Sequence, residues 1–279
     1  MRRDLFQILD VVFRYQDRGE FGPLRRQHLL FHAADSQHTP SQRDLYQAVL
    51  DRDLEAAIAA AGGRRLSLGN PHIFAILTKL KQICCHPGLV TKDFSPYKTG
   101  VSGKFDSFME VVDEILDAEG PQELASTLVG FSQYVEMAGY LANYVRSLNK
   151  TCDLIDGRVP PGERPTLCKA FNTDPARFGM MLTLSAGGVG LDLQSANYVV
   201  LYDRWWNPAV EDQAVDRVHR LGQSRQVVVI TLTTRGTLEE RIERKLSEKR
   251  SLSDYVIHAD ELMHKEVSRA ELIDLVKLD

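Results

Sequence analysis

Cysteine is scarce in this chain: four among 279 residues, Cys84, Cys85, Cys152 and Cys168. No repeated close spacing links them, which argues against a disulfide framework and for a reducing compartment. An excess of basic charge is missing too. The 34 Lys and Arg stand against 38 Asp and Glu, a formal net charge of −4. That balance excludes a protein that holds nucleic acid through overall basicity but leaves a local stripe open. No apolar run approaches the roughly 20 residues of a membrane span. Met1-Arg2-Arg3 begins like a signal peptide, yet Asp4, Gln7 and Asp10 interrupt the apolar stretch behind it. Leu5, Ile8, Leu9, Val12 and Phe13 recur there at helical spacing instead, so an amphipathic helix is expected rather than a targeting segment. Internal repeats and low-complexity tracts are also absent. What is present, 43% apolar and 26% charged residues, is the composition of an ordinary globular protein.

The periodicity divides the chain. Residues 1–100 read as a helical lead-in and linker. Thr39-Pro40-Ser41-Gln42 starts a helix, an alanine-rich stretch ends at Gly62-Gly63, and Asn70-Pro71 opens a helix closed by His86-Pro87-Gly88. Val90 to Gly103, with Pro96, Gly100 and Gly103, reads as a linker. Over residues 101–250 short β-rich runs alternate with helices. Strands are expected at 127–131, 152–155, 178–184, 198–202 and 227–233, and helices at 135–148, 162–171, 207–221 and from Leu238 onward, where Thr237-Leu238-Glu239-Glu240 fits a capping box. This alternation predicts an α/β fold, a parallel sheet with helices on both faces and helical N-terminal and C-terminal additions. Residues 251–279 form an acidic tail whose Leu262, Leu272 and Leu275 suggest a docking helix.

Two segments carry the chemistry. Ser185-Ala186-Gly187-Gly188-Val189-Gly190-Leu191-Asp192 follows a strand. Glycines this dense cost backbone entropy and serve a tight turn or a close approach. Consecutive N–H groups there can receive phosphate oxygens, and a ligand-free strand-to-helix connection uses the same residues. In the helix after Asn207-Pro208, Gln213, Arg217 and Arg220 share one face beside an apolar stripe of Val210, Ala214, Val218 and Leu221. Two guanidinium groups beside a buried stripe suit anionic oxygens. A solvated face paired with Asp212 or Asp216 is the plain alternative.

Together, residues 183–223 (TLSAGGVGLDLQSANYVVLYDRWWNPAVEDQAVDRVHRLGQ) closely resemble the fifth and sixth motifs of the Swi/Snf family, the DNA-translocating ATPases of helicase superfamily two. Leu128 to Gln133 (LVGFSQ) resembles its fourth motif. Asp156-Gly157 with Glu163-Arg164 resembles the stretch that follows, and Lys81 to Pro87 (KQICCHP) the helix ahead of the second lobe. The resemblance implies a RecA-like C-terminal lobe. It places Arg217 and Arg220 as arginine fingers on the γ-phosphoryl of ATP. Gln213, Gly190 and Asp192 fall on the nucleotide side, and Ser132, Ser185, Gly187 and Gly188 at the DNA phosphate backbone, a contact without base information. It further implies ATP with Mg²⁺ held by an N-terminal ATPase lobe in the same protein or a separate chain, double-stranded DNA as partner, and a cytoplasmic (nucleoid-associated) or nuclear, non-secreted setting.

This sequence departs from the family in specific places. It has no G-x-x-x-x-G-K-[ST]; its one Gly-Lys pair, Gly103-Lys104, is followed by Phe105, which offers no hydroxyl to a metal. Asp113-Glu114 lies within an amphipathic helix and reads as a solvated face. Family members usually carry Lys or Arg where Ser185 stands, and often Asn where Asp192 stands. Arg158 and Val159 replace a small hydroxylic pair. Weak DNA binding and negligible ATP hydrolysis by the chain alone are therefore expected. A non-catalytic DNA- or protein-binding module derived from such a lobe is the competing reading. Cys84-Cys85-His86 reads as structural, with adjacent cysteines and no second pair to complete a zinc site. Trp205-Trp206 reads as packing of the loop under the following helix, and Glu239 to Arg250 as a mostly solvated helix face.

Overall fold

The computed structural model describes residues 29–36 (backbone), 39–60, 62, 66–94, 97–117, 127–183, 191–205, 208–218, 227–248 and 266–278. In chain order the elements are β1 (Leu29–Ser36), α1 (Pro40–Val49), a π-helical turn (Leu50–Leu54), α2 (Glu55–Ala60), β2 (Leu66–Ser67), α3 (Pro71–Cys85), α4 (Gly88–Thr91), α5 (Gly103–Asp117), β3 (Leu128–Ser132), α6 (Val135–Ser147), β4 (Thr151–Ile155), α7 (Arg164–Thr173), β5 (Arg177–Thr183), β6 (Tyr198–Leu201), α8 (Pro208–Val218), β7 (Val227–Thr234), α9 (Leu238–Glu248), β8 (Glu266–Val267) and α10 (Arg269–Val276). The described residues of 1–35, 107–205 and 210–232 form one compact unit, and those of 36–106, 206–209 and 233–279 a second.

The first unit is built on a sheet in the order β1-β7-β6-β3-β5-β4, and the five strands from β7 to β4 run parallel. Every residue of β3 is buried, as are those of β5 from Phe178 to Thr183. Such near-continuous apolar runs mark strands covered on both faces. Val129, Phe131, Met180, Leu182, Val199 and Leu201 pack on one face against Cys168 and Phe171 of α7 and Ala214, Val215 and Val218 of α8. Helix α6 lies against β3, β4 and β5, and its Tyr144 meets Phe108 of α5 edge-on with ring centroids 6.1 Å apart. Asp113 and Glu114 sit within α5, with Asp113 exposed.

Helix starts in the second unit follow from the sequence signals. Thr39 Oγ1 accepts from Gln42 N–H at 3.3 Å while Gln42 Oε1 accepts from Thr39 N–H at 3.2 Å, a capping box. Asn70 caps α3 through His72 N–H at 3.0 Å, with Pro71 in the first turn. Gly62, at φ +58°, takes up the left-handed turn after α2. The core gathers Tyr46, Leu77, Leu80 and Ile83 around Leu238, Leu272, Leu275 and Val276. Of the tail's leucines, Leu272 is fully buried and Leu275 buried in α10, and the Tyr46 hydroxyl donates to the Val276 carbonyl at 2.9 Å. Each leucine buried this way contributes about 1.5–3 kcal/mol.

Four expectations need correction here. Residues 1–100 are not helical throughout, for Leu29–Ser36 is a strand of the large sheet and Leu66–Ser67 pairs with Glu266–Val267. The stretch 90–103 is not a loose linker throughout. Its start belongs to α4, and Ser102, fully buried, donates its hydroxyl to the Cys85 carbonyl at 2.9 Å. The α9 capping box is displaced. Thr237 Oγ1 accepts from Glu239 N–H at 3.2 Å, while Glu240 reaches back to Gly236 N–H at 2.9 Å. Nor is the start of α9 solvated, for Glu239 and Arg241 are buried.

His86 is fully buried, stacked on Phe94 at 5.2 Å and edge-on to Phe105 at 6.1 Å. Its Nδ1 accepts from Gly88 N–H at 3.0 Å. Burial among these rings disfavours the charged imidazolium and lowers its pKa to about 4. The unfolded chain therefore binds more protons than the folded one between about pH 6.5 and pH 4, so this stabilisation is full above that window and fades as pH falls through it. The linkage amounts to about 3 kcal/mol. In chemical denaturation, the stability gap between the unsubstituted chain and His86→Asn should shrink as pH is lowered from 7 to 4; a constant gap would refute the buried neutral imidazole.

Candidate functional site

The order of strands creates the site. The chain runs from β3 outward to β4, returns to β5, then crosses β3 to reach β6 on its other side. Around such a reversal the loops beyond the carboxyl ends of the strands part and leave a crevice. The loops in question leave β3 at Ser132, β5 at Thr183 and β6 at Leu201. Ser132 pairs with Thr183, and Phe131 with Leu201, so the three exits lie side by side.

Asp203 knits two of these exits together. It is buried, accepts the Ser132 hydroxyl, and accepts Gln133 N–H at 3.0 Å. Ser132 Oγ in turn accepts Tyr134 N–H at 3.1 Å. The expectation that Ser132 offers its hydroxyl to DNA phosphate is corrected for this structure: the side chain is 1% exposed and its proton is given to Asp203. On the neighbouring strand, the fully buried Thr183 Oγ1 has no hydrogen-bond partner among the described residues, an arrangement that costs about 1–3 kcal/mol when nothing else satisfies it.

Helix α8 is bound into the same edge. Glu211, in its first turn and 2% exposed, accepts Arg204 Nε at 3.1 Å and Trp205 N–H at 2.7 Å. Trp205 packs against the sheet-side core, in line with its structural reading. Beyond the first turn, Ala214, Val215 and Val218 are buried, Gln213 is exposed and Arg217 is half-buried. Of the expected stripe, Ala214 and Val218 are buried and Val210 packs against them, with Val215 added, while Leu221 lies outside the described residues. Near the C-terminal end of α8 the Arg217 carbonyl accepts Leu193 N–H at 3.2 Å, and the Asp192 carbonyl accepts Asn172 Nδ2 at 2.9 Å. The structure therefore brings Asp192 to the end of the helix that carries Gln213 and Arg217. Arg220, Ser185, Gly187, Gly188 and Gly190 lie outside the described residues, as do Leu5 to Phe13, Trp206, Asn207 and Leu262.

After β4, Asp156 is buried and grips Arg158. It accepts the Arg158 N–H at 2.8 Å and Nε at 3.0 Å, and a further bond comes from Nη2. The Arg158 guanidinium holds the Asp156 carboxyl below the usual carboxylate range. Elsewhere the Gly-Lys pair finds a structural answer. Lys104 is fully buried and pairs with Glu239 at 2.7 Å. Among the described residues no group of three or more His, Cys, Asp or Glu side chains is placed to hold a metal ion. Cys84 and Cys85 are fully buried, and burial raises the Cys84 thiol well above its ordinary value. No helix of the described residues is long and apolar enough to cross a membrane.

Sequence reasoning missed Asp203, Glu211 and Arg204. They lie inside the matching run, but the part of Asp203 is shown by its distant partner Ser132 and that of Arg204 and Glu211 by their bond across the turn between β6 and α8.

Comparison with known proteins agrees with this geometry. Residues 108–222 match the model of the helicase conserved C-terminal domain. The chain is 34% identical over 239 residues to the putative ATP-dependent helicase/translocase YwqA of Bacillus subtilis, an alignment covering 85% of this chain and 25% of that protein. The chain thus spans about a quarter of the length of such relatives. Among solved structures, the Sulfolobus solfataricus SWI2/SNF2 ATPase C-terminal domain superposes with a TM-score of 0.71 at 30% identity, covering 90% of this chain and 99% of that one. The Sulfolobus solfataricus SWI2/SNF2 ATPase core in complex with dsDNA gives 0.74 at 30% identity, over 90% of this chain and 50% of that one. The parallel sheet and its covering helices are those of the RecA-like α/β fold.

Proposed function

The chain belongs to the SWI2/SNF2 ATPase family through its C-terminal helicase lobe, and from that premise we propose that it supplies the arginine fingers and part of the DNA-backbone contact of an ATP-dependent DNA translocase. The observation that carries this reading is the tethering of α8. Glu211 binds it to the exit of β6 and Leu193 to the segment behind β5, which holds Gln213 and Arg217 on one helix beside Asp192. Arg217 and Arg220 neutralise charge developing on the transferred γ-phosphoryl, while Gln213, one turn before Arg217, contacts the nucleotide. Asp192 and Gly190 couple the loop behind β5 to that event. Ser185, Gly187 and Gly188 approach the phosphate backbone, and Ser132 acts through Asp203 by fixing the β3 exit.

The phosphate cradle and the acids for Mg²⁺ belong in this reading to an N-terminal lobe. No metal step is assigned to this chain, whose described residues offer no grouped ligands. Arginine fingers stabilise a transition state that another lobe assembles. Phosphate release from ATP should therefore be negligible for the chain alone and appear when an N-terminal lobe and duplex DNA are added. Turnover by the pure chain would overturn the division of labour. A mixture that binds duplex but never turns over would favour the non-catalytic module.

A further inference from the structure

We infer that Asn172 is a positioning residue for Arg217 and acts on it through a single peptide group. The inference rests on the reading of Arg217 as an arginine finger, and it adds a residue outside the helix that carries the finger. Asn172 stands in the last turn of α7, and its side-chain amide makes two bonds to the segment behind β5. Nδ2 donates to the Asp192 carbonyl at 2.9 Å, and Oδ1 accepts Ser195 N–H at 3.1 Å. Leu193 N–H, the other half of the peptide group that begins at the Asp192 carbonyl, donates to the Arg217 carbonyl at 3.2 Å. No peptide bond among the described residues is cis, so in this planar unit the C=O and the N–H point in opposite directions. Asn172 and Arg217 therefore hold one rigid plate from its two sides.

The chemistry of the two contacts asks for an amide. A backbone carbonyl only accepts and a backbone N–H only donates, so their shared partner must offer one donor and one acceptor on a short stem. Those partners also fix which way the amide points. Asparagine is a poor helix former because its amide competes for nearby backbone groups. In α7 the amide instead leaves its own helix for partners 20 and 23 residues further along. The segment it grips is set firmly. Leu193 and Ala196 are fully buried, Ser195 Oγ donates to the Phe171 carbonyl at 3.3 Å, and Thr127 Oγ1 donates to the Ser195 carbonyl at 2.6 Å. A donor on the Asp192 carbonyl also polarises the peptide group and strengthens its N–H towards Arg217. What Arg217 gains is a fixed place for its backbone, and rate falls steeply when a reacting group is displaced. Residue 192 takes part here through its carbonyl, which gives the coupling of this segment to the nucleotide a covalent path.

The test is a double-mutant cycle in the two-lobe reconstitution with duplex DNA, read as kcat and KM for ATP. Asn172→Ala should lower kcat by about 10–100-fold, the cost of a group displaced by about 1 Å, with KM for ATP and duplex affinity unchanged. In an Arg217→Ala background the same substitution should cost less than about twofold more, because nothing is left to position. Hydrogen exchange of the full chain alone gives a readout independent of turnover. Leu193 N–H should lose protection in Asn172→Ala while the amides of β3 keep theirs. Asn172→Asp keeps an acceptor for Ser195 N–H but sets a carboxylate against the Asp192 carbonyl. It should show the same pattern, and it carries the cycle if Asn172→Ala fails to fold. Unchanged kcat, a loss that falls on KM, a loss that multiplies with that of Arg217→Ala, or intact Leu193 protection would each overturn the inference and leave the finger reading standing. Turnover indifferent to Arg217→Ala itself would defeat the finger reading, and this inference with it.

Discussion

In a two-lobe reconstitution with duplex DNA, Arg220→Ala is expected to lower ATP turnover by about 10³–10⁵-fold, and Arg217→Ala by a comparable factor. That range corresponds to about 4–7 kcal/mol of barrier. Charge builds on the equatorial oxygens of the γ-phosphoryl only as the transition state forms, so the guanidinium interactions strengthen there. The loss should fall on kcat, with KM for ATP little changed. Lysine should not rescue either position, since it offers a point charge instead of a planar fork. Arg217 stands half-buried in the last turn of α8. Its helix is anchored in the first turn by Glu211, which accepts from Arg204 Nε and Trp205 N–H. Duplex binding measured in the absence of ATP should be unaltered in both variants. Turnover unaffected by Arg220→Ala would defeat the finger assignment while leaving family membership untouched.

Most of the sheet was legible because parallel strands covered on both faces must be apolar along their whole length, as in Leu128 to Phe131 and Phe178 to Leu182. Helix starts at Thr39, Asn70 and Pro208 were legible for a local reason: capping groups and prolines act within one turn of themselves. Charged residues whose partners are remote in sequence were not. Glu239 belongs to a run that balances its charges like a solvated face, and nothing within that run announces Lys104. Ser132 illustrates the same limit at the site. A hydroxyl beside a motif glutamine reads as a phosphate ligand until Asp203, far along the chain, takes its proton. Asp203 and Glu211 carry no signal by type or spacing. Asp203 meets its partners through the crossing of β6 beside β3, a property of topology, and Glu211 meets Arg204 and Trp205 through the turn between β6 and α8.

Removing Lys104 alone should be among the most destabilising single changes available in the second unit. Lys104 and Glu239 are both fully buried as side chains, with Nζ 2.9 Å and 2.7 Å from the two carboxylate oxygens. Glu239 also accepts Thr234 N–H at 3.1 Å. Its place in the first turn of α9 suits a negative charge, whereas Lys104 in the first turn of α5 opposes the helix dipole and depends on Glu239 to offset it. Lys104→Met leaves a carboxylate buried with one backbone donor, and the cost of such a broken pair is about 3–5 kcal/mol. Glu239→Leu leaves an ammonium in the same place with a similar penalty. The double variant Lys104→Met/Glu239→Leu removes both charges and should recover most of that loss, because desolvation of the pair consumes much of its Coulomb attraction. Urea denaturation of the four proteins closes a double-mutant cycle, in which a large favourable coupling is expected at constant m-value. A single Lys104→Met costing under about 1 kcal/mol, or a double variant as unstable as the sum of its parts, would mean that the two side chains are hydrated in solution.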